Sequence, residues 1–253
     1  MESPDGSRRR LLEMKPILFV RCDAVDKLGL APDAVRAAGA DIRLWETLDT
    51  GSSRPDLPYV DGVVLCGSTY NVEHADQQPF IKEVRELALE AMDHGTPLLG
   101  VCFGAQVLAW ALDADVGRAP AREVGFEPVH LEPAAKTDPL LAHYRDGDMV
   151  FQWHMDTFEQ PAGATMLATG ERVRNQAFRM DERTWGVQWH LEVDRPELEF
   201  WLDTFSAEGD LKADWGKSTD DVRAEADTFL AAHEERGREL FTRFVGVVRE
   251  TAG

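Results

Sequence analysis

The sequence predicts an α/β protein in three layers, a sheet of mostly parallel strands covered by helices on both faces, with a helical C-terminal extension. Three observations carry this reading. Apolar runs such as Ile17-Leu18-Phe19-Val20 lack polar alternation, as expected of strands covered on both sides. Helical patterns alternate with these runs through short connections, which implies parallel crossover units. The stretch from Pro97 to Gln106 reads as an apolar strand, a sharp turn at Cys102 and a helix from Ala105 to Leu112.

The elements follow in order. After Ile17 to Val20, Pro32 to Ala38 reads as a short helix closed by Gly39, and Asp41 to Trp45 resumes a strand. A loop rich in Pro, Gly and Ser, Thr50 to Pro58, leads into a third strand, Tyr59 to Leu65, which stops at Cys66-Gly67-Ser68. In Pro79 to His94, Phe80, Val84, Leu87 and Ala91 recur at helical spacing and give one apolar face. From Asp113 to Met180 the pattern breaks into short strands and turns: Gly125 to Leu131, Met149 to Trp153, Ala164 to Ala168 and Gln176 to Arg179. Thr184 to Glu192 is a strand by its alternation and aromatic content. Pro196 to Phe205 and Asp220 to Glu250 are helical, the latter with an apolar stripe of Leu240, Phe241, Phe244, Val245 and Val248. Such a stripe docks on its own domain or serves a homodimer contact. The chain thus divides into a flexible tail over 1–15, a globular domain over 16–195 and a helical extension over 196–253 packed on the same domain.

Composition narrows the partners. With 253 residues, 43% of them hydrophobic, the chain is long enough to bury a substantial core. Forty-six acidic against 27 basic residues leave a formal charge of -19, a field that repels phosphate backbones and anionic membranes, so neither nucleic acid nor membrane is an expected partner. No apolar run approaches the ~18 residues that span a bilayer. Arg8-Arg9-Arg10 is followed by no apolar segment of a secretory leader. Cys22, Cys66 and Cys102 are odd in number, far apart and in no metal-ligand spacing. They point to a reducing compartment, the cytoplasm, with a thiol free for chemistry and no metal or other cofactor.

Two stretches carry candidate chemistry. Gly100 and Gly104 flank Cys102 and leave room for a strained turn, while the helix behind it aims free N–H groups and the positive end of its dipole at the sulfur. That suits a nucleophilic thiolate, although a lone free cysteine is also commonly a small buried hydrophobe. Ligands of open parallel sheets bind beyond the carboxyl ends of the strands, where Gly67 can bring a bare N–H to whatever Cys102 attacks. With the N–H of Phe103 it would form a two-donor oxyanion hole. In the second stretch, Gln188-Trp189-His190-Leu191-Glu192, residues two apart on an extended segment point the same way, so Glu192 can hold one tautomer of His190. Nucleophile, base and orienting carboxylate are the set that acyl transfer needs. His154 is a candidate pocket wall.

Gly100-Val101-Cys102-Phe103-Gly104-Ala105-Gln106 and Gln188 to Glu192 resemble the nucleophile and histidine signatures of the class I, triad-type glutamine amidotransferases, and most closely free-standing relatives of the GMP synthase glutaminase domain. The likeness runs from about Ile17 to Pro196 and implies a flavodoxin-like glutaminase fold. By that resemblance Cys102 is the nucleophile, His190 the general base and acid, Glu192 its orienting carboxylate and Gly67 an oxyanion donor. Gln106, with Ser68 and His154, would hold the substrate, L-glutamine or another γ-glutamyl amide. Ammonia would leave by way of a γ-glutamyl thioester and pass to a separate synthetase chain. Two alternatives remain open here, a stand-alone γ-glutamyl amide hydrolase and a non-catalytic regulatory module of the same fold. Two positions depart from the family pattern. Leu191 stands where Pro is usual, and Cys66 replaces the first of two glycines, which would put a side chain beside the site and within reach of a disulfide to Cys102.

Overall fold

The structure, a computed structural model, describes residues 14–252, so the expected N-terminal tail falls almost wholly outside the described residues. The chain runs β1 (Ile17–Arg21), α1 (Ala31–Ala37), β2 (Ile42–Glu46), β3 (Gly62–Leu65), α2 (Pro79–Asp93), β4 (Leu98–Val101) and α3 (Phe103–Ala111). It continues through β5 (Val116–Leu131), β6 (Asp148–Phe158), β7 (Thr165–Gly170), β8 (Asn175–Arg179), β9 (Thr184–Val187), α4 (Arg195–Glu208), α5 (Leu211–Trp215) and α6 (Thr219–Ala252). One nine-stranded sheet takes the order β2-β1-β3-β4-β9-β8-β7-β5-β6. The contiguous block β2-β1-β3-β4-β9 is parallel, and every pairing beyond β9 is antiparallel.

The lack of alternation in the parallel strands has the expected cause. Ile17 and Phe19 enter a core beneath α1 and α6, whereas Leu18 and Val20 enter a second core beneath α2 and α3. Successive side chains of a strand point to opposite faces, and here both faces are dry. Each fully buried Leu, Ile or Phe contributes about 1.5–3 kcal/mol. The α6 stripe closes the first core, since Leu240, Phe241, Phe244, Val245 and Val248 are each at most 1% exposed. Its apolar face is therefore covered by the chain's own sheet.

A third cluster joins Phe126 of β5 and Phe151 of β6 to Leu198, Trp201 and Leu202 of α4, Leu211 of α5 and Val222 of α6. The two short helices are fixed at their starts by carboxylates. Asp194 accepts from the Glu197 N–H at 2.9 Å, and Asp210 accepts from the N–H groups of Lys212 and Ala213. Gly216, with φ +84°, ends α5 in the left-handed conformation that glycine adopts without strain.

Three sequence expectations change. Tyr59 belongs to a single 3-10 turn, Leu57–Tyr59, because Pro58 fixes φ near the helical value, and β3 starts only at Gly62. The short segments expected at 125–131 and 149–153 are the inner parts of a long β5–β6 hairpin, which extends into polar residues such as Arg118 and Glu123. The strand expected over 184–192 ends at Val187, and residues 188–192 leave the sheet as an irregular segment. Among the described residues no helix is long and apolar enough to cross a membrane.

Candidate active site

Cys102 sits where β4 turns into α3, with φ 50° and ψ -108°, a backbone region that side chains rarely adopt. Strain of this kind costs on the order of 1–3 kcal/mol and persists only where the surroundings impose it. They do so here through close packing. A methyl on Gly100 would lie 2.6 Å from the Gly104 carbonyl oxygen, and one on Gly104 would lie 2.1 Å from that of Leu65. The two glycines thus let α3 press against β4 and the end of β3. Cys102 itself extends the β4–β9 pairing by donating its N–H to Val187 at 2.8 Å. Its sulfur accepts from Gln188 Nε2 at 3.7 Å.

Gln106, one helical turn on, faces inward. Its Nε2 donates to the Asp156 carbonyl at 3.0 Å and to Gln188 Oε1 at 3.4 Å. The sequence reading assigns Gln106 a substrate contact, but it is not among the residues that line the cavity beside Gly67 and His190. Gln106 is buried beneath the elbow and contacts Gln188, the donor to the sulfur, because α3 turns that face toward β6 and the 188–192 segment.

His190 and Glu192 do pair, His190 Nδ1 lying 2.6 Å from Glu192 Oε1, although the segment is not a strand. Tertiary contacts hold it instead. The His190 N–H donates to Phe151 of β6 at 3.0 Å, and the His190 carbonyl lies 2.9 Å from Nε2 of His233 on α6. Leu30 donates its N–H to the Glu192 carbonyl at 2.9 Å. Two glycines admit these approaches, since a methyl on Gly29 would lie 2.0 Å from the Glu192 carbonyl oxygen and one on Gly237 would lie 2.2 Å from that of Leu191. Burial works against a charged His190, but Cys102 and Glu192, by charge and by side-chain hydrogen bonds, hold the imidazolium well above its ordinary range. Burial pushes His233 down to about 3, so it is a neutral support.

Gly67 lies against the same ring, where a methyl would come 2.9 Å from His190 Cε1 and 3.9 Å from Asp26 Oδ2. A cavity of about 380 Å³ opens beside it, lined among others by Asp26, Ser68, His154 and His190. Ser68 is tied back by its hydroxyl to the Cys22 carbonyl at 3.1 Å. His154 sits within β6, not at its end, with Nε2 2.9 Å from Glu123 Oε2 and Nδ1 3.0 Å from the Asp156 carbonyl. Cys66 does not line this cavity; it is 5% exposed and packs in the core with Phe19, Val64 and Val101, and all three cysteines are free thiols. Among the described residues no cluster of three or more His, Cys, Asp or Glu is arranged to hold a metal ion.

Sequence reasoning missed Asp26, Gln188, Trp201 and His233. Gln188 lay inside a quoted motif and was readable as a donor, but the others come from elements distant in the chain. Asp26 is 3% exposed, its Oδ1 accepts from the Leu28 N–H at 2.7 Å, and its Oδ2 has no partner among the described residues. Burial, and then the nearby Glu192, push its carboxyl up to about 8. Trp201 of α4 stacks edge-on against the His190 ring at 4.9 Å between centroids.

A strained cysteine at a strand-to-helix elbow, electrostatically coupled to a histidine that a carboxylate orients, is an arrangement used by cysteine-dependent acyl-transfer proteins. The chain belongs to the family described as glutamine amidotransferase class-I, whose sequence model matches residues 32–203. It is 38% identical over 144 residues to a glutamine-hydrolysing GMP synthase of Porphyromonas gingivalis, covering 56% of this chain and 27% of that one. A Kluyveromyces lactis GMP synthase is 33% identical over 136 residues, covering 52% and 24%. The chain thus spans about a quarter of the length of these curated relatives. A glutamine amidotransferase structure from Thermotoga maritima superposes with TM-score 0.81 at 26% identity, covering 91% of this chain and 98% of that one. One from Methylobacillus flagellatus, at 22% identity and TM-score 0.83, covers 92% and 95% and shares the fold.

Proposed function

We propose that this protein hydrolyses the side-chain amide of glutamine or of a γ-glutamyl conjugate through a thioester on Cys102. The observation that carries the reading is the convergence of the strained, buried Cys102, the raised imidazolium of His190 and its 2.6 Å contact to Glu192, with His190 and Gly67 lining the adjoining cavity. The Cys102 thiolate attacks the γ-carbonyl carbon. The oxyanion is met by the N–H groups of Gly67 and of Phe103, the first residue of α3, whose free donors and dipole face developing negative charge. His190 gives its proton to the departing nitrogen as the C–N bond breaks, and Glu192 keeps the ring aligned. Water then adds to the thioester, returning a proton to His190, and the C–S bond breaks to release glutamate.

The chain matches about a quarter of the length of the glutamine-hydrolysing GMP synthases that it resembles, and uptake of the ammonia by a separate synthetase chain is part of the same proposal. The first test is steady-state ammonia release from L-glutamine by wild type beside Cys102→Ser. Turnover that disappears in the variant supports the reading. Equal release by the two proteins overturns it, and so does the absence of any γ-glutamyl amide turnover by wild type.

A further inference from the structure

The cavity beside His190 has a composition that a free amino acid does not call for. Its walls include Trp153, Trp201, Phe205 and Trp215, carboxylates stand at its depth and mouth in Asp26 and Asp214, and no Lys or Arg is among its described lining residues. The aromatic rings form one connected group. Trp153 lies 5.0 Å from Phe205, 6.1 Å from Trp201 and 6.2 Å from Trp215 between centroids. Aromatic faces attract organic cations through the ring quadrupole, most strongly where water is excluded. The group already engages one cation from outside the cavity, for Arg122 lies 5.5 Å from the Trp215 ring while donating to the Asp214 carbonyl at 2.9 Å.

Asp26 supplies the second, independent sign. It is 3% exposed and lines the cavity, and its Oδ2 lies beside Gly67 with no hydrogen-bond partner among the described residues. A buried carboxyl oxygen left unpaired is costly, and a bound ammonium donor would remove that cost and favour the ionised carboxylate against the burial that raises its pKa. Asp23, the other buried carboxylate of the wall, is already occupied by the N–H groups of Val25 and Thr69 and by the Thr69 hydroxyl. The imidazolium of His190 would repel a cation. Glu192, 2.6 Å from the Nδ1 of that ring, offsets its charge.

The volume leaves room for more than a glutamyl group. At about 30 Å³ for each water molecule, the roughly 380 Å³ cavity would take about a dozen separate water-sized groups, and covalently bonded atoms pack closer. A glutamyl group therefore leaves part of the cavity unfilled. We propose that this space binds the amine half of the substrate as an alkylammonium, with Asp26 as counter-ion and Trp153, Trp201 and Trp215 as walls. The amide cleaved is then a γ-glutamyl conjugate of an aliphatic diamine. This rests on the thioester reading above, with the diamine leaving in place of ammonia and taking the same proton from His190.

The experiment compares kcat/KM for four amides: γ-glutamyl-1,4-diaminobutane, its neutral γ-glutamyl-pentylamide isostere, L-glutamine, and glutaramic acid, which lacks the α-ammonium. A tenfold or greater preference for the diaminobutane conjugate over the pentylamide is expected, and Asp26→Asn and Trp215→Leu should each collapse that ratio toward one. Thermal melts verify that the variants fold. Equal turnover of the two conjugates overturns the proposal, and if glutaramic acid alone is then refused, the cation that Asp26 recognises is the α-ammonium of the glutamyl group. A ratio unchanged in both variants overturns it as well. Binding is read separately by calorimetry on Cys102→Ser, with 1,4-diaminobutane against 1,4-butanediol. Saturable binding of the diamine alone, lost on adding Asp26→Asn, supports the cation site even if no amide is turned over. That outcome would overturn the hydrolytic reading and leave the site standing. Turnover without any diamine binding would do the reverse.

Discussion

Cys102 and His190 follow neighbouring parallel strands, β4 and β9, yet the two turns that present them are built differently. The Cys102 elbow is made of its own sequence neighbours. Gly100 and Gly104 allow the strand and the helix to close on each other, and Gly104 also packs against the Leu65 backbone at the end of the adjoining β3. The His190 segment has no regular structure of its own. It hangs from β6 at Phe151, from the Gly29–Leu30 turn and from α6 at His233 and Gly237. A nucleophile that must hold a strained torsion is well served by short-range covalent constraint. A histidine that must meet it can be placed by contacts that span the whole chain, and the C-terminal helix supports the site from behind.

This contrast is broken most sharply at the elbow. Gly104→Ala would drive a methyl to 2.1 Å from a backbone oxygen that cannot swing aside, and overpacking of this sort costs about 1–3 kcal/mol or more. The expected outcome is a fall in the melting temperature together with loss of amide turnover; an unchanged melt with full turnover would show that the elbow is not locally constrained.

Gly237→Ala sharpens the comparison at the other region. Alanine in a helix interior is worth about 0.8–1 kcal/mol over glycine, whereas the new methyl would meet the Leu191 carbonyl at 2.2 Å. The two effects oppose each other in stability, but only the second reaches His190. Turnover should fall by tenfold or more while the melting temperature moves by a few degrees, and a variant with wild-type kcat/KM would detach α6 from the site.

The smallest effect is a pH dependence. His233 is held near 3 in the fold against an ordinary value of 6.5, so the unfolded chain binds the extra proton first. Its stabilising contribution is complete above about 6.5 and is lost as pH falls toward 3. Asp26 runs the other way, since its folded value of about 8 exceeds the ordinary 3.8. Its contribution is complete below about 3.8 and is lost as pH rises through 8. The difference in unfolding free energy between Asp26→Asn and wild type should therefore shift in favour of the variant between pH 5 and pH 9. A constant difference across that range would place the carboxyl in contact with water.

Much of this was readable in the sequence because it depends on torsions and periods. Unalternated strands, amphipathic helices and two glycines around a cysteine are local facts, and they fix the parallel half of the sheet and the nucleophile turn. The spacing of His190 and Glu192 revealed their pairing even though the strand that justified it ends at Val187. The tertiary structure decided what distant segments do to one another. It turned Gln106 away from the cavity and toward Gln188, buried Cys66 in the core, left Asp26 Oδ2 without a partner among the described residues, brought Trp201 against His190 and set Trp215 in the wall of the same cavity. None of those has a period or a neighbouring residue to announce it. Each follows from the hydrophobic closure of α4, α5 and α6 over the sheet, which only the packed chain can satisfy.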